Sequence, residues 1–422
     1  MTAATAPLPS APSTIDVLIA GGGVAGSALG AVLAREGRAV AIVEREPVFR
    51  DRIRGESIHP WGVKELRAIG LEDALLAGAG AIELPRWTRY RDGAQDDSFR
   101  WDALMPGSPG EISVRHPAMQ EALLAAAQSA GATVHRPASV ALRRAGEGIV
   151  ATVETSEGVI AYAPRLVVGA DGQRSAVRRW IGGTARRDPI HHAIAGAIVS
   201  GLHLDPDSAH QAYFPGGFAM VFPQTGGTNR IYFVCPTPEA ERLQREELPD
   251  ALIAAMRPWL PDGAVGDWRS EGPAGFFPNA DIVVDVTHAP GVVLIGDAAG
   301  ANDPSQGHGL ALAFSDVRAL RDLLLQGDDW DAVPAAFAAG QRPARETLRQ
   351  HAIWSAPLMT GTGPEADALR AQVAEARAAD PSAGGFAPIF MTGPEGLVAD
   401  EAARRHFLGE DLLPPVEATG DT

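Results

Sequence analysis

The fold is decided by residues 16–44, which read DVLIAGGGVAGSALGAVLAREGRAVAIVE. This segment opens with a short apolar run, DVLIA, that stops at Gly21, as a buried parallel strand does. A helical pattern over residues 27–36 follows, and Gly37 is a residue that commonly terminates a helix. A second apolar run then leads into Glu44. The pattern predicts a β-α-β unit.

The turn between the predicted strand and helix has the sequence GGGVAG and satisfies the pattern G-x-G-x-x-G. Gly21 permits the tight turn, Gly23 lets a pyrophosphate approach the backbone, and Gly26 lets helix and strand pack closely. Free N–H groups at the helix start favour phosphate. Glu44, which ends the next strand, can accept a hydrogen bond from a ribose hydroxyl. We therefore predict a dinucleotide site, although this motif alone does not separate FAD from NAD.

The composition limits the class of protein. A chain of 422 residues with 45% hydrophobic residues can bury a large core and form two domains. The net charge of −16 argues against nucleic-acid and anionic-membrane partners. The single cysteine, Cys235, excludes an internal disulfide framework and a cysteine-based zinc site, so we expect no metal and a cytoplasmic location. No apolar run reaches the roughly 18 residues of a membrane span.

The rest of the chain suggests an α/β protein with an inserted sheet. Residues 117–130 and 310–325 have helical patterns, and residues 148–163 predict a two-stranded ribbon. Residues 210–234 are rich in aromatic and β-branched residues between Gly and Pro turns, which favours antiparallel strands. The domains expected from this are a disordered tail (1–14), a cofactor domain (15–84, 106–185 and 281–350), an antiparallel substrate sheet (85–105 and 186–280) and a helical C-terminal segment (351–422), with its last residues after Pro414 disordered.

Two later motifs carry further information. VVGADGQRSAVR (167–178) predicts a strand, an Asp-Gly turn and a helix start. LIGDAAGANDPSQGHG (294–309) predicts a strand, a carboxylate, a loop and a long helix. Together with the first glycine motif, and in this order, they resemble the signature of the group A flavoprotein monooxygenases, the para-hydroxybenzoate hydroxylase type. The resemblance covers roughly residues 15 to 350 and implies a Rossmann-like FAD-binding domain with an inserted, mostly antiparallel substrate sheet.

The resemblance also implies roles for individual residues. Asp297 takes the position that binds the ribityl chain of FAD. Asp171 takes the position near the pyrophosphate and the nicotinamide cofactor, and the resemblance extends this expectation to Arg178. Arginine suits phosphate contacts because its guanidinium binds two oxygens at once. The residues expected to bind the cofactor are Gly21, Gly23, Gly26, Glu44, Arg45, Arg52, Arg54, Arg115, Asp171, Asp297, Pro304, Gly307 and Gly309.

In such enzymes NADPH or NADH reduces FAD, O2 adds to flavin C4a, and the resulting hydroperoxide transfers one oxygen atom to the substrate. The Gly307-His308-Gly309 turn, which opens a long helix, is the expected stabiliser of negative charge on the flavin. The polar candidates for proton transfer are His59, His308 and Tyr213. The aromatic candidates for the substrate pocket are Trp61, Phe214, Phe218 and Phe222.

Other reactions of the same superfold stay open. Gly300 stands where the hydroxylase pattern G-D-A-A-H has histidine, and Gly55-Glu56-Ser57 is reminiscent of flavin-dependent halogenases and of isoprenoid double-bond reductases. The halogenases use an active-site lysine and a W-x-W-x-I-P segment; here the only lysine is Lys64, on a predicted helix face that we expect to be exposed, and no tryptophan lies in such a segment. A reductase, or a non-catalytic FAD- or prenyl-binding protein, remains an alternative. We expect a monooxygenase that hydroxylates or epoxidises a small aromatic, polyketide-like or alkenyl compound.

Overall fold

The structure is a computed structural model and describes residues 11–53, 55–380, 383 and 389–411. In chain order the strands are β1 (Ser13–Ala20), β2 (Val40–Val43), β3 (Ser57–Ile58), β4 (Ile82–Leu84), β5 (Arg86–Arg91), β6 (Ala94–Arg100), β7 (Glu111–Ser113), β8 (Thr133–His135), β9 (Ala138–Ala145), β10 (Gly148–Thr155), β11 (Gly158–Gly169), β12 (Ala185–Arg187), β13 (His192–Leu202), β14 (Ser208–Phe214), β15 (Gly217–Gln224), β16 (Thr228–Cys235), β17 (Val265–Ser270), β18 (Gly275–Asn279), β19 (Ile282–Val284), β20 (His288–Ala289) and β21 (Val292–Leu294).

The helices are α1 (Val24–Arg35), α2 (Pro60–Ala68), α3 (Glu72–Leu76), α4 (Trp101–Leu104), α5 (His116–Ser129), α6 (Ala176–Trp180), α7 (Thr237–Leu243), α8 (Asp250–Met256), α9 (Gly309–Leu325), α10 (Val333–Thr360), α11 (Pro364–Ala379), α12 (Ile389–Thr392) and α13 (Glu401–Phe407). Short 3-10 turns lie at Thr225–Gly227, Arg257–Trp259, Gly296–Ala298 and Pro304–Gln306. None of the described helices combines the length and the apolar character needed to cross a membrane.

A parallel sheet is built mainly from strands of the first half of the chain, and β21 joins it from the second half. Its strand order is β21-β11-β1-β2-β8, and β20 pairs antiparallel with β21 at one edge. Val17, Leu18 and Ile19 of β1 have no exposed surface, because both faces of the sheet are covered. The predicted β-α-β unit is confirmed as β1, α1 and β2. β1 begins at Ser13, inside the expected N-terminal tail, and residues 1–10 of that tail lie outside the described residues.

The glycine turn after β1 is set by close backbone contacts. Gly21 has a φ of +107°, and a Cβ there would lie 2.4 Å from the carbonyl oxygen of Ala170, in the second motif. A Cβ on Gly26 would lie 2.0 Å from the carbonyl oxygen of Gly21. Side chains at these two positions would therefore collide with main chain that cannot move aside easily.

The ribbon beside this sheet has one strand more than the sequence pattern predicts. β10 pairs antiparallel with the first part of β11, as expected, but β9 also pairs with β10 along its whole length. The prediction of two strands over residues 148–163 is confirmed, whereas β9, which precedes them in the chain, was not predicted. Charged and polar residues of β9 face solvent, so the apolar alternation that identifies a strand is weak there.

A second sheet supplies a wall of the cavity described below. Its order is β17-β13-β16-β15-β14-β5-β6, with β18 also paired to β13, and only the β14–β5 pair is parallel. In β15, Ala219 and Val221 face a cluster closed by α7 and α8, whereas Phe218, Met220 and Phe222 face the opposite side. This alternation follows from the two-residue period of a strand. The predicted fold class, an α/β cofactor domain with an inserted, mostly antiparallel sheet, is confirmed.

The C-terminal third of the described chain is helical. α10 is 28 residues long and contains Pro343 and Pro357, and it packs with α9, α11 and α13 around an apolar cluster that includes Trp61 and Trp354. Small sheets of β3-β7-β4 and β12-β19 complete the fold. The residues after Pro414, which we expect to be disordered, lie outside the described residues.

Replacement of Gly26 by Ala tests the packing of the glycine turn. Because the new Cβ would collide with the Gly21 carbonyl oxygen, we expect a loss of more than about 3 kcal/mol of unfolding free energy, measured by urea denaturation. Gly37→Ala is the matched control: its φ is +75° but nothing lies within 4 Å of the added Cβ, so only about 1 kcal/mol of backbone strain is expected. Equal losses in the two variants would contradict the steric argument.

Candidate active site

One cavity of about 1640 Å³ is lined by residues from all three motifs and from the second sheet. Gly23 lies in its wall on the side of α1, Gly172 and Asp297 follow β11 and β21, and Phe218 and Tyr232 belong to the second sheet. Motifs that are more than 100 residues apart in the sequence therefore meet at one space.

Of the residues predicted to bind the cofactor or move protons, those that line this cavity are Gly23, Arg52, His59, Tyr213, Asp297, Pro304, Gly307 and Gly309. Those that lie in the described structure but not in the cavity lining are Gly21, Gly26, Glu44, Arg45, Arg115, Asp171 and His308. Arg54 lies outside the described residues.

The N terminus of α1 is suited to bind phosphate. Gly23 occupies the N-cap position and no side chain caps the helix, so the first N–H groups of α1 are not bonded by a capping side chain. Only Gln120 Nε2, at 3.9 Å, lies within 4 Å of a Cβ built on Gly23. Val24 and Ala25 also line the cavity. The space and the helix dipole fit the pyrophosphate of a dinucleotide.

Glu44 contacts the turn and not the cavity. Its carboxylate accepts a hydrogen bond from the backbone N–H of Gly22 at 2.8 Å and from that of Glu46 at 2.7 Å, and the residue is buried. Arg45 is exposed and lies 3.8 Å from Glu46, which also accepts from Arg52 at 3.2 Å. Glu44 thus holds the loops in place, and each carboxylate oxygen keeps a lone pair for a further donor.

Asp171 also accepts hydrogen bonds from backbone N–H groups. One carboxylate oxygen accepts from the N–H of Ala176 at 2.6 Å and from that of Val177 at 3.2 Å, so it caps the first turn of α6. The other oxygen is buried and has no hydrogen-bond partner. Asp171 therefore shapes the turn whose next residue, Gly172, lines the cavity.

Arg178 joins the second motif to the third. Its guanidinium is buried and donates to the carbonyl oxygen of Ala298 at 3.1 Å and to that of Gln173 at 2.6 Å. The Gln173 side chain in turn donates to Asp297 Oδ2 at 3.3 Å. The sequence indicated a cofactor contact for Arg178, but its hydrogen bonds are made to these two loops.

The loop that carries Asp297 is held in place by hydrogen bonds to Asp316 of α9 and to Arg345 of α10. Asp316 accepts from the backbone N–H of Gly296 at 2.8 Å and pairs with Arg345, which also donates to the carbonyl oxygen of Gly300 at 3.3 Å. Burial raises the pKa of Asp316, and Arg345 opposes that change. This pair cannot be predicted from the sequence, because α9 and α10 meet the loop only in the folded chain.

The turn before α9 has the geometry expected of an anion site. Gly307 has a φ of +70°, and no side chain caps the N terminus of α9. Gly309 has nothing within 4 Å of a built Cβ, so the backbone there is open to the cavity. The N–H groups of this turn can therefore face a negatively charged group.

His59 lies directly beneath this turn. A Cβ on Gly307 would lie 2.4 Å from His59 Nε2, which faces the carbonyl oxygen of Gln306 at 3.1 Å. His59 Nδ1 contacts the buried carboxylate of Glu111, which also accepts from Ser57 at 3.1 Å. Both ring nitrogens of His59 therefore lie against oxygen atoms of the protein, which fix the orientation of the ring. Glu111 belongs to the short strand β7, whose sequence EIS gives no sign that this carboxylate would meet His59.

The other two proton-transfer candidates differ in position. His308 is fully buried outside the cavity lining; neither of its ring nitrogens has a hydrogen-bond partner among the described residues, and the ring stacks on Phe390. Burial lowers the pKa of His308 well below its usual value, so the ring is neutral. Tyr213 lines the cavity and donates to Gln211 at 2.9 Å, and burial raises its pKa. Neither arrangement is that of a general base.

A buried ion network joins the cofactor side of the cavity to the second sheet. Arg230 of β16 has no exposed surface and pairs with Glu56, which lines the cavity, and with Asp51 at 3.1 Å. Arg115 donates to the same Asp51 at 2.7 Å. Burial raises the pKa of Glu56, with Arg230 opposing. Arg115, predicted to steady FAD, is thus part of a network that fixes Glu56 and Asp51.

A second polar cluster supports the Pro304 turn. Asp303 accepts from Ser305 at 2.7 Å and lies 3.4 Å from His192, whose ring contacts that of His191. Although burial opposes it, His192 and Ser305 hold the pKa of Asp303 below its usual value. Asp281 accepts from the N–H of Asp303 at 3.2 Å, and burial together with the charge of Asp303 raises the pKa of Asp281 to about 7.

The far part of the cavity is aromatic. Three of the four aromatic residues predicted for the pocket line it, whereas Trp61 packs behind it in the C-terminal cluster. The aromatic lining residues are Trp87, Phe99, Trp101, Tyr213, Phe214, Phe218, Phe222, Tyr232, Phe276, Phe277, Phe390 and Phe407. Such walls suit an apolar ligand with a planar group.

Comparisons with known proteins identify the family. Residues 14–327 match the family model described as FAD binding domain. Kynurenine 3-monooxygenase of Stenotrophomonas maltophilia is 29% identical over 376 residues, which are 79% of this chain and 77% of that protein. Squalene epoxidase 3 of Arabidopsis thaliana is 26% identical over 320 residues, and the match spans 74% of this chain but only 60% of the plant protein.

The fold is also similar to solved structures. Pseudomonas aeruginosa PqsL, solved in complex with 2-aminobenzoylacetate, superposes with a TM-score of 0.71 over 82% of this chain and 97% of PqsL. The sequence identity is 22%. This likeness supports the fold, since two chains can share an architecture at such identity and differ in reaction.

Asp281→Asn tests the protonation of the cluster beneath Pro304. In the folded chain the pKa of Asp281 is about 7, whereas an unfolded aspartate titrates near 4. The stability from this raised pKa is therefore present at about pH 4 and is lost as the pH rises through about 7. Asparagine cannot ionise, so the stability of the variant relative to wild type should rise between about pH 5 and about pH 8, by roughly 1–3 kcal/mol. Thermal or urea unfolding of both proteins measures this; a pH-independent difference would contradict it.

Proposed function

The chain belongs to the FAD binding domain family, and from this premise we propose that it is an FAD-dependent monooxygenase. It uses NADPH or NADH and O2 to hydroxylate or epoxidise a small aromatic or alkenyl compound. The observation that carries the proposal is a continuous cavity, which joins the uncapped N terminus of α1, Asp297 and the Gly307 turn to an aromatic pocket. The named activities of the relatives, kynurenine 3-monooxygenase and squalene epoxidase 3, are of this type.

The residues of the cavity fit FAD along its length. The N–H groups of α1 would bind the pyrophosphate, and Gly23 leaves the space for it. Asp297 would accept hydrogen bonds from ribityl hydroxyls, in an orientation fixed by Gln173. The bound cofactor would supply the redox chemistry that carries electrons from NAD(P)H to O2.

The protein contributes positive charge near the reacting atoms and excludes water from them. The N–H groups of the Gly307–Gly309 turn place partial positive charge at one side of the cavity, and the His59 ring supports this turn from beneath. Glu111 holds the His59 ring in orientation, so we assign Glu111 a positioning role. The aromatic wall of the second sheet excludes water from the substrate.

A flavin-dependent reductase of isoprenoid double bonds is the second candidate, because the apolar pocket would also accept an alkenyl chain. A halogenase is less well supported. Lys64, which we expected to be exposed, is partly buried, does not line the cavity, and donates to the carbonyl oxygen of Met391 at 3.1 Å. We propose a cytoplasmic location, with which Cys235, a buried free thiol, is compatible.

Asp297→Asn tests the cofactor site. Because the variant loses the charge that strengthens hydrogen bonds to ribityl hydroxyls, we expect FAD to bind about 10-fold or more weakly, measured by release of flavin on dilution or gel filtration. Asp322→Asn, on the exposed side of α9, is the matched control and should bind FAD as wild type does. Unchanged affinity in Asp297→Asn would show that this carboxylate does not hold FAD.

The reaction type is tested by the oxygen dependence of NAD(P)H oxidation. With a monooxygenase, compounds that speed NAD(P)H oxidation should give a product that contains one atom of labelled O2, and product formation should stop when O2 is removed. Product that forms equally well without O2 would favour the reductase. A protein that cannot be loaded with FAD would contradict both.

A further inference from the structure

Three side chains of the kind that bind metal ions meet beside the Pro304 turn. One ring nitrogen of His191, one of His192 and one carboxylate oxygen of Asp303 lie within 4.8 Å of one another. Asp303 Oδ2 is 3.4 Å from His192 Nε2 and 3.9 Å from His191 Nε2. Neighbouring ligand atoms around a tetrahedral zinc ion are roughly 3.4 Å apart, because each bond is about 2.0–2.1 Å long. The first spacing matches this value, and the second is somewhat longer.

Asp303 presents a free oxygen atom to the two rings. Its Oδ1 accepts hydrogen bonds from the backbone N–H of Ser305 at 2.9 Å and from the Ser305 hydroxyl at 2.7 Å, and these bonds fix the carboxylate. Its Oδ2 is buried and has no hydrogen-bond partner among the described residues. A buried carboxylate oxygen without a partner costs free energy, so this atom indicates a bound group that the chain itself does not supply.

A second side chain without a partner lies next to His192. Asn279 of β18 is directly opposite His192 of β13 in the antiparallel register, so the two side chains lie on the same face of the sheet. Asn279 has no exposed surface, and within the described part of the chain neither atom of its amide has a hydrogen-bond partner. The amide oxygen is therefore available as a further ligand, or as an acceptor for a water molecule bound to the ion.

The histidine rings exchange their present contacts for the ion. His192 Nε2 lies 3.0 Å from the Ser305 hydroxyl, and the Nδ1 atoms of the two rings face each other. The His191 side chain is 30% exposed and precedes β13, so its ring can turn and an ion can enter from solvent. Each ring then carries its proton on Nδ1, and the lone pairs of both Nε2 atoms face the ion.

We propose that His191, His192 and Asp303 form a structural site for zinc or a similar divalent transition-metal ion. Imidazole and carboxylate together suit such ions, whereas Mg²⁺ and Ca²⁺ prefer oxygen ligands alone. We expected no metal from the single cysteine, and this site uses none. His192 begins β13 of the second sheet, and Asp303 precedes Pro304, which lines the cavity. The ion thus ties the second sheet to the loop of the third motif, a role that is independent of the proposed function.

Zinc binding is measured on the full chain as purified without an affinity tag, after a chelator has been used and then removed by dialysis. The protein is titrated with Zn²⁺ and, separately, with Mg²⁺ by isothermal titration calorimetry. We expect one zinc ion to bind per chain and to raise the melting temperature by about 3 °C or more when free zinc is about 100-fold above its Kd. Mg²⁺ should do neither. A chain that binds no zinc, or that responds equally to Mg²⁺, would overturn the proposal.

Variants locate the ion. His191→Gln replaces a partly exposed ligand and should weaken zinc binding by about 100-fold, as should Asp303→Asn. His203→Gln, which changes an exposed histidine outside the cluster, is the matched control and should bind zinc as wild type does. Wild-type affinity in both cluster variants would place the ion elsewhere and refute the site.

Hydrogen exchange tests what the ion does. Zinc should slow the exchange of backbone N–H groups in residues 301–307 of the wild-type chain, because the bound ion restrains this loop, and should not do so in His191→Gln. Exchange that zinc leaves unchanged in the wild-type chain would contradict the structural role.

Discussion

The three motifs can meet because three parallel strands end at the same level. Ala20 of β1 pairs with Gly169 of β11, and Gly169 pairs with Leu294 of β21. The residues that follow these strands must therefore lie side by side, whatever the length of chain between them. Gly21 then approaches Ala170 so closely that neither turn can shift without the other. The cavity is a consequence of this register.

Residues that follow strand ends could be predicted from the sequence, whereas residues that support them could not. Asp297 and Gly307 were identifiable because each sits at a fixed distance from a buried strand or a helix start. The contact of His59 with Glu111, 52 positions away, and that of Arg230 with Glu56, 174 positions away, depend on how separate elements pack. Neither the local hydrophobic periodicity nor the turn residues of the sequence indicate such pairs. The extra strand β9 was missed for a related reason, since its exposed face carries charge.

The acidic residues of the motifs show how one side chain can serve a loop and a ligand. Glu44 and Asp171 resemble cofactor-binding acids, yet in the structure their carboxylates accept from backbone N–H groups of the turns beside the cavity. The four backbone donors, Gly22, Glu46, Ala176 and Val177, would be free to shift if these bonds were lost, so a weaker cofactor site would follow even without a direct contact. Asp297 differs, because it lines the cavity itself. A functional role assigned from a motif is therefore safest where the side chain reaches the cavity.

The charges of the cavity wall differ in how they are compensated. Arg230, Glu56 and Asp51 are paired within the protein, as buried ions must be, since an isolated charge in such a place costs several kcal/mol. Arg115 also pairs with Asp51, so the two arginines and the two carboxylates of this network balance each other in charge. The N-terminal N–H groups of α1 and α9 differ from these ions, because no side chain caps them and their partial positive charge can face the cavity. The fold thus pairs its buried side-chain charges with one another and leaves the backbone turns to bind negatively charged groups, which is the arrangement that the phosphates of a dinucleotide need.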